Sequence, residues 1–497
     1  MPEIQASAIE SVDVAVVGGG IAGVAISEYI ARHSTLSIRL LEQQDQLGAG
    51  SSGKLEGWFH SGALYSGQDD GQTFMNCVNS LEDLINGYSP YFGHRCNVGL
   101  VEAATGYFQP QIQAHPEGWF NPNPVYLIHP RQQAPELHLS GLKGEQVQMQ
   151  LQLKRVLGRL EMAYGRGHNW LHQDQCQAPS YAQVENYEGL ACTLLANPAP
   201  LQQLCQAFDQ SFGFGPGDYA LIRSLDCAMD TYAILRDCVA SALALGVTIE
   251  TGIQLETLNS DRYGPVRLKS LVYRTGTGQR KHLKAQAFIF AVGAGFGSIL
   301  GELQVRARLK QSRSAMIVAY PALSDLNFVR MSTKNRFHFN HFVQSPQREE
   351  MTLSYSMLAN SGYTNGDNLE AMDIEPLLDA AERYFGRENL YRRHLYSYDC
   401  IKTEFVSDDE QKRRYSYWIE ADPQSNYLCV LPGKFSFFPT VALQAFRQLK
   451  TLVSLQERPS QTTFRTSSET LAQAAALVAL PYPQQILAKF LPLTSVL

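Results

Sequence analysis

An α/β fold built around a Rossmann-like, doubly wound nucleotide-binding domain is predicted by three features of the chain. Residues Val14 to Gly23 read VAVVGGGIAG, an apolar β-branched strand that runs straight into Gly18, Gly20 and Gly23 at GxGxxG spacing. A helical run, Ile21 to His33, follows. A second apolar strand, Leu36 to Leu41, then ends in Glu42, where an acid suits a free ribose 2′-hydroxyl and repels a 2′-phosphate. In such a unit Gly18 permits the tight turn, Gly20 lets the backbone approach a pyrophosphate, and Gly23 lets the helix pack closely on the strand. Ile21 and Ala22 open that helix, whose N-terminus faces negative charge.

Beyond this unit a glycine and serine run, Gly48 to Gly53, leads into Gly57, Trp58, Phe59, His60, Ser61 and Gly62, a pattern that wraps a ligand. Apolar residues at helical spacing predict helices over Gln72 to Ile85 and Gln146 to Met162. Residues 106–140, rich in proline, glutamine and aromatics, read either as a covering loop or as irregular strands. The α/β alternation resumes at Leu221, with a helix over Thr231 to Leu245, a strand over Val247 to Thr251, and a hairpin pair near Val266 to Tyr273 and His282 to Ala287. A further buried strand, Phe288 to Val292, runs into Gly293, Gly295 and Gly297. Mixed β structure is expected from Met316 to Tyr355 and a helix from Ile374 to Phe385. The last strand, Tyr427 to Leu431, precedes Pro432, Gly433, Lys434 and a helix starting near Pro439, where proline fits the first turn. The nucleotide-binding domain is therefore discontinuous: residues 11–65, 221–310 and 426–455. Residues 66–220 and 311–425 form an inserted mixed α+β substrate domain, and residues 456–497 a C-terminal tail.

Composition narrows the function. At 497 residues the chain exceeds one ordinary core. A net charge of -6 provides no basic stripe, so nucleic acid is not expected as a partner. Nine cysteines, odd in number and without CxxC spacing, read as reduced thiols of a cytoplasmic protein and predict no metal site. Neither an export signal nor a membrane span is expected. The apolar tail from Thr470 to Leu497 is broken by Pro481, Pro483 and Pro492. It reads as a helix docked on the body, or as an interfacial anchor for peripheral membrane association, with Lys489 its only basic residue.

Four motifs then occur in one order: VGGGIAG with Glu42, GAGSSGKLEGWFHSGALY, VGAG from Val292, and PGKFSF from Pro432. Together they resemble the FAD-dependent oxidoreductases of the D-amino-acid oxidase type, nearest the glycerol-3-phosphate dehydrogenase and L-2-hydroxyglutarate oxidase branch. Its serine-rich loop ends in His-Gly-Gly or His-Ala-Gly, and its last loop reads GGKLTT. SGYTNGD, from Ser361, stands where that family has Gly-Thr-Thr-Asp, so the threonine pair is lost. The resemblance implies an FAD-binding domain in which Gly18, Gly20, Ile21, Ala22, Gly23 and Glu42 hold the ADP half. It also places Ser51, Ser52, His60, Ser61 and Gly62 along the pyrophosphate and isoalloxazine, with Ala291 and Gly293 in the loop after the preceding strand. Gly433 and Lys434 would sit near the pyrimidine edge of the flavin, where a lysine and a helix N-terminus stabilise the charge that builds as hydride reaches N5. A solvated surface lysine is the other reading of Lys434.

The same resemblance makes His60 a covalent anchor, a general base or a ring packed on the flavin, and Tyr65 a substrate contact or part of the pocket wall. Leu64 stands where the glycerol-3-phosphate branch has arginine, and Cys400 to Glu404 (CIKTE) replaces the family's Gly-Val-Arg-Pro segment. Lys402 can attract an anion as a point charge but lacks the guanidinium fork, while Glu404 favours a cationic group. Arg330, Arg336, His338 and His341 lie in the β region that floors the pocket in that family and read as structural or surface residues. The implied function is transfer of a hydride from a CH–OH or CH–NH carbon of a small metabolite to flavin N5, then to oxygen, quinone or a carrier protein. The alternatives are a flavin-binding assembly or scaffold protein without turnover, and a nicotinamide-dependent dehydrogenase, against which the second and third motifs argue.

Overall fold

The computed structural model describes residues 9–68, 71–102, 108–130, 144–164, 219–261, 266–324, 327–330, 337–343, 354–360, 364–365, 374–406, 416–422, 424–458 and 463–489. Its strands are β1 (Ile9–Val17), β2 (Ile38–Leu41), β3 (Trp58–Phe59), β4 (Val98–Glu102), β5 (Phe108–Ile112), β6 (Phe120–Pro130), β7 (Tyr219–Met229), β8 (Thr248–Glu250), β9 (Gln254–Ser260), β10 (Leu268–Arg274), β11 (Arg280–Phe290), β12 (Leu309–Tyr320), β13 (Asn327–Arg330), β14 (Phe337–Val343), β15 (Ser354–Asn360), β16 (Thr364–Asn365), β17 (His394–Phe405), β18 (Trp418–Ala421) and β19 (Tyr427–Leu431). The helices that matter here are α1 (Ile21–His33), α2 (Ser51–Lys54), α3 (Gln72–Asp83), α4 (Gly144–Tyr164), α5 (Thr231–Ala244), α6 (Glu375–Phe385), α7 (Phe438–Leu452), α8 (Ser468–Leu477) and α9 (Tyr482–Ala488).

Two sheets carry the molecule. In the first, the order β18-β19-β11-β1-β2-β8 puts β1 between β11 and β2, and the pairs β19/β11, β11/β1, β1/β2 and β2/β8 are all parallel. A parallel strand is covered on both faces and so reads as a continuous apolar run. The period of two shows in β1: Val14 and Val16 join the core under α1, α5 and α7, whereas Ala15 and Val17 join a second core with Phe288, Phe290 and Trp418. Helix α1 packs against α7 and α5. Between α1 and α5 a buried ion pair, Arg32 Nε to Glu28 Oε1 at 2.9 Å, is capped by Tyr29, Tyr88 and Tyr91, whose rings lie 4.6 to 5.1 Å from the guanidinium carbon.

The second sheet runs β16-β12-β15-β14-β13-β6-β7-β3, with β17 also paired to β12, and β13/β6 its parallel pair. Residues 106–140 thus supply β5 and β6 among the described residues, so the strand reading holds there. The segment from Leu221, grouped by sequence with the nucleotide-binding pieces, instead gives β7 to this second sheet, and Trp58–Phe59 joins it as β3. β18, from the segment assigned to the substrate domain, edges the first sheet.

Element boundaries follow the apolar pattern closely in α1 and β19. They differ at β11, which is one strand rather than a hairpin arm followed by a separate buried strand. Its first residues pair antiparallel with β10, and its last three, Phe288 to Phe290, pair parallel with β19. The hairpin periodicity passes without a break into the buried run, because the same backbone serves both. Six described cysteines are buried free thiols. Among the described residues no helix is long and apolar enough to cross a membrane.

The tightest contact in the fold lies where α1 meets β1. A Cβ added at Gly23 would come within 1.8 Å of the Gly18 carbonyl oxygen, a backbone atom that cannot rotate away. Gly23→Ala is therefore expected to destabilise the chain by about 3 kcal/mol or to prevent folding. Gly297→Ala, where an added methyl meets open space, should stay within about 1 kcal/mol of wild type. Urea denaturation of the two variants checks the contrast.

Candidate active site

The carboxyl ends of β1, β2, β11 and β19 open into one cleft of about 740 Å³, the edge at which a doubly wound sheet presents loops and helix N-termini to a ligand. Gly18 turns there with φ +111°, and a Cβ on it would stand 2.4 Å from the Ala291 carbonyl oxygen. Gly20 differs: the nearest described atom to a Cβ added there is Ser52 Oγ at 3.3 Å, so that direction opens into the cleft. Ser52 Oγ accepts the amide of Ile21 at 3.1 Å and thereby caps the first turn of α1. Glu42 is buried, with Oε2 accepting from the Gly19 amide and Oε1 from the Gln44 amide at 2.8 Å. Each carboxylate oxygen has a second lone pair for a hydroxyl.

Gly18, Gly20, Ile21, Ala22, Glu42, Ser51, Ser52, His60, Ala291, Gly293, Lys402, Gly433 and Lys434 all line this cleft. Gly23, Ser61, Gly62, Tyr65 and Glu404 do not. Gly23 is occupied by helix-to-strand packing. Ser61 and Gly62 are expected from the sequence along the isoalloxazine, but Ser61 is wholly buried and turned to Asp226 of β7. Asp226 Oδ1 accepts from the Ser61 amide at 2.7 Å and from Ser61 Oγ at 2.6 Å, while Oδ2 accepts from the Leu64 amide at 3.0 Å. Helix α4 holds the same loop from outside: Arg159 Nη1 donates to the Ser66 carbonyl at 2.8 Å, and the Tyr164 hydroxyl donates to the Ser61 carbonyl. Burial pushes the Asp226 carboxyl pKa up, against the pull of these donors. Asp226 has no motif around it, so only the fold reveals it. Gly19 also escapes the GxGxxG spacing, although the GGG run signals it: a Cβ there would lie 2.4 Å from Leu47 Cδ2.

The loop so fixed brings His60 to the β19 side of the cleft, with Tyr65 packed behind it and against Lys434 from the loop after β19. The His60 ring meets the Tyr65 ring edge-on at 5.1 Å between centroids, and Lys434 Nζ donates to the Tyr65 hydroxyl at 2.6 Å while lying 4.2 Å from the ring centroid. Lys434 is thus set into the concave wall rather than on the outer surface. Gly433, with φ +64°, makes the turn that brings it there. Desolvation first, and the charge of Lys402 next, hold the Lys434 amine down at about 7, against the opposing pull of Cys77, Glu404 and Glu56. On β17, Lys402 lines the cleft, and Glu404, two residues further along the same face, is buried. Ser51 Oγ donates to the Ile401 carbonyl at 2.7 Å, which ties α2 to that strand. Arg330, His338 and His341 fall on β13 and β14. Arg336 and most of the SGYTNGD segment lie outside the described residues.

The same geometry suits FAD. Glu42 follows β2 and Lys434 follows β19, with β1 and β11 between them, so three strand spacings, about 14 Å, separate the two ends. An extended dinucleotide matches that span. The unobstructed side of Gly20 matches the close approach of a pyrophosphate, and the α1 N-terminus supplies positive potential.

The model of the FAD dependent oxidoreductase family matches residues 13–412. No curated protein sequence gives a significant match. Among solved structures the chain is similar to L-alpha-glycerophosphate oxidase from Mycoplasma pneumoniae with FAD bound, at 14% identity over 92% of this chain and 98% of that one, TM-score 0.55. It is similar also to glycine oxidase from Geobacillus kaustophilus, at 12% identity over 89% and 95%, TM-score 0.54. An FAD dependent oxidoreductase from Pseudomonas aeruginosa matches at 15% identity over 97% and 99%, TM-score 0.52. At these identities the likeness is one of fold.

Two outcomes are expected from the site. Gly20→Val should yield folded protein that purifies without FAD, because its side chain projects into the cleft and not into the protein; retained flavin absorbance at wild-type stoichiometry would contradict this. The second concerns Lys434. Between pH 7 and 10.5 the unfolded chain holds a proton on this lysine that the folded chain releases, so folding stability rises with pH across that window. Lys434→Met should flatten the rise, read by urea titrations of flavin-free protein at three pH values.

Proposed function

The chain belongs to the FAD dependent oxidoreductase family, and we propose that it oxidises a small amino- or hydroxy-monocarboxylate at the CH–NH or CH–OH carbon. The observation that supports this most is the charge pattern at the β19 side of the cleft. Lys402 and Lys434 both line it, and no described lining residue is an arginine. Lys402, joined by Lys434 when its amine is protonated, favours an anionic substrate end, but without a guanidinium fork these lysines offer a phosphate dianion poor geometry. Glu56 lines the same cleft and Glu404 is buried close by, so a cationic amino group finds a counter-charge there.

In this reading Gly18, Gly20, Ile21, Ala22, Glu42 and Ser52 hold the ADP half of FAD, while His60, Gly433 and Lys434 stand beside the isoalloxazine. FAD, when bound, supplies the acceptor for the hydride of the substrate C–H bond. Lys402 binds and orients the substrate carboxylate. His60, backed edge-on by Tyr65, walls the reacting carbon off from water. Lys434, whose amine titrates near neutrality, holds or releases a proton at Nζ as negative charge builds beside it. The substrate O–H or N–H proton leaves to a cleft base of this kind, and the electrons pass on to oxygen or an electron carrier.

Anaerobic mixing of the yellow protein with candidate metabolites tests this. Amino or hydroxy monocarboxylates are expected to bleach the flavin rapidly and glycerol 3-phosphate slowly. Lys402→Ala should weaken the bleaching carboxylate about 10-fold or more, some 1.4 kcal/mol. Rapid bleaching by glycerol 3-phosphate, or unchanged carboxylate affinity in Lys402→Ala, would refute the charge assignment.

A further inference from the structure

The C-terminal tail is the sequence feature that the proposed chemistry leaves unused, and its docking is specific. After α8, the backbone of Leu477 to Ala479 runs alongside Leu47. The Leu47 amide donates to the Leu477 carbonyl at 2.8 Å, and the Ala479 amide returns a bond to the Leu47 carbonyl at 2.9 Å. Gln46 Nε2 adds a bond to the Ala476 carbonyl at 3.1 Å. Leu47, wholly buried, sits against Gly19, and the next amide, Gly48, donates to the Gly19 carbonyl at 2.9 Å. Gly19 in turn donates its amide to Glu42. One continuous path of backbone bonds therefore joins the tail to the dinucleotide turn.

Helix α9 makes the second attachment. Tyr482 places its ring 5.4 Å from Lys54 Nζ at the end of α2, the helix whose Ser51 and Ser52 line the cleft. Leu487 is buried with Met316, Tyr398 and Cys400 of the second sheet, where the Tyr482 ring also meets Tyr398 at 4.9 Å between centroids, and Cys400 lies two residues from Lys402. The tail thus spans from the cofactor loop to the strand that bears the cleft lysine.

We propose that residues 468–489 act as a clamp on the cofactor, holding the Gln44–Lys54 loop against bound FAD, with Ala479 and Tyr482 as positioning residues. The inference rests on the FAD site and not on the substrate reading. If docking of the tail strengthens FAD binding, then FAD must strengthen docking of the tail by the same factor. That reciprocity separates a clamp from an ordinary structural helix, which would stabilise the fold whether or not cofactor is present.

The test is hydrogen exchange on the full chain with and without FAD, together with FAD titration of two variants. One ends at Thr466. The other is Ala479→Pro, which removes the donating amide while Val478, already extended, suits the residue before a proline. FAD is expected to slow exchange at the Ala479 amide at least 5-fold, and both variants should bind FAD at least 5-fold more weakly, with exchange in β1 of the flavin-free protein unchanged. The inference is overturned if FAD leaves exchange at Ala479 unaltered, or if a folded variant binds FAD as wild type does. Should neither variant fold, the exchange measurement on the intact chain decides alone.

Discussion

Everything at the cleft depends on one backbone-on-backbone contact, the seating of Gly23 on the carbonyl of Gly18, with Gly18 itself pressed against the Ala291 carbonyl. Three main-chain segments meet there with no side chain between them, which fixes where the first turn of α1 begins. Because backbone cannot adopt another rotamer, the positions of Gly20, Ile21 and the Ser52 cap follow from it. The α1 amides are thereby aimed before any ligand arrives, and preorganisation of that kind lowers the ordering cost of binding.

A second constraint lies within the second sheet. Asp226, on β7, takes the amides of the loop that leaves the neighbouring strand β3, so the direction in which His60 and Tyr65 point is set by a carboxylate outside the nucleotide-binding unit. Three donors satisfy this buried acid, and removal of it would leave those amides without acceptors in a dry interior. The same low polarity depresses the Lys434 amine. Burial of one group thus orients the site, and burial of another sets its proton affinity.

Much of this was legible in the residues themselves, for local reasons. The β1–α1 unit, β19 and the helix after it are marked by apolar period, glycine spacing and a first-turn proline, all properties of adjacent residues. What the chain did not disclose depends on partners distant in sequence. Nothing in RSLDCAMD says that Asp226 receives the amides of residues more than a hundred positions earlier. Nor does the composition of CIKTE show that Lys402 lines the cleft while Glu404, two residues along the same face of β17, does not, since that depends on where the cleft ends along the strand. The fusion of hairpin and core strand in β11 escaped for a similar reason: the alternating pattern gives way to a continuous apolar run within one strand, because its neighbours change along its length.

That strand has a consequence in time. β1 leaves the ribosome first, yet it lies in the interior of its sheet only once β11 is beside it, and the loop carrying Gly433 and Lys434 is positioned only when β19 has paired with Phe288 to Phe290. At about 5–20 residues per second, the dinucleotide turn waits roughly 20–80 s for the segment that completes its cleft. For the first part of that interval, until β11 emerges after roughly 14–55 s, the edge of β1 is an open apolar template. A newly made chain is accordingly most exposed to mispairing at the very motif that identifies it, and the cofactor can take its full place only once β19 has paired.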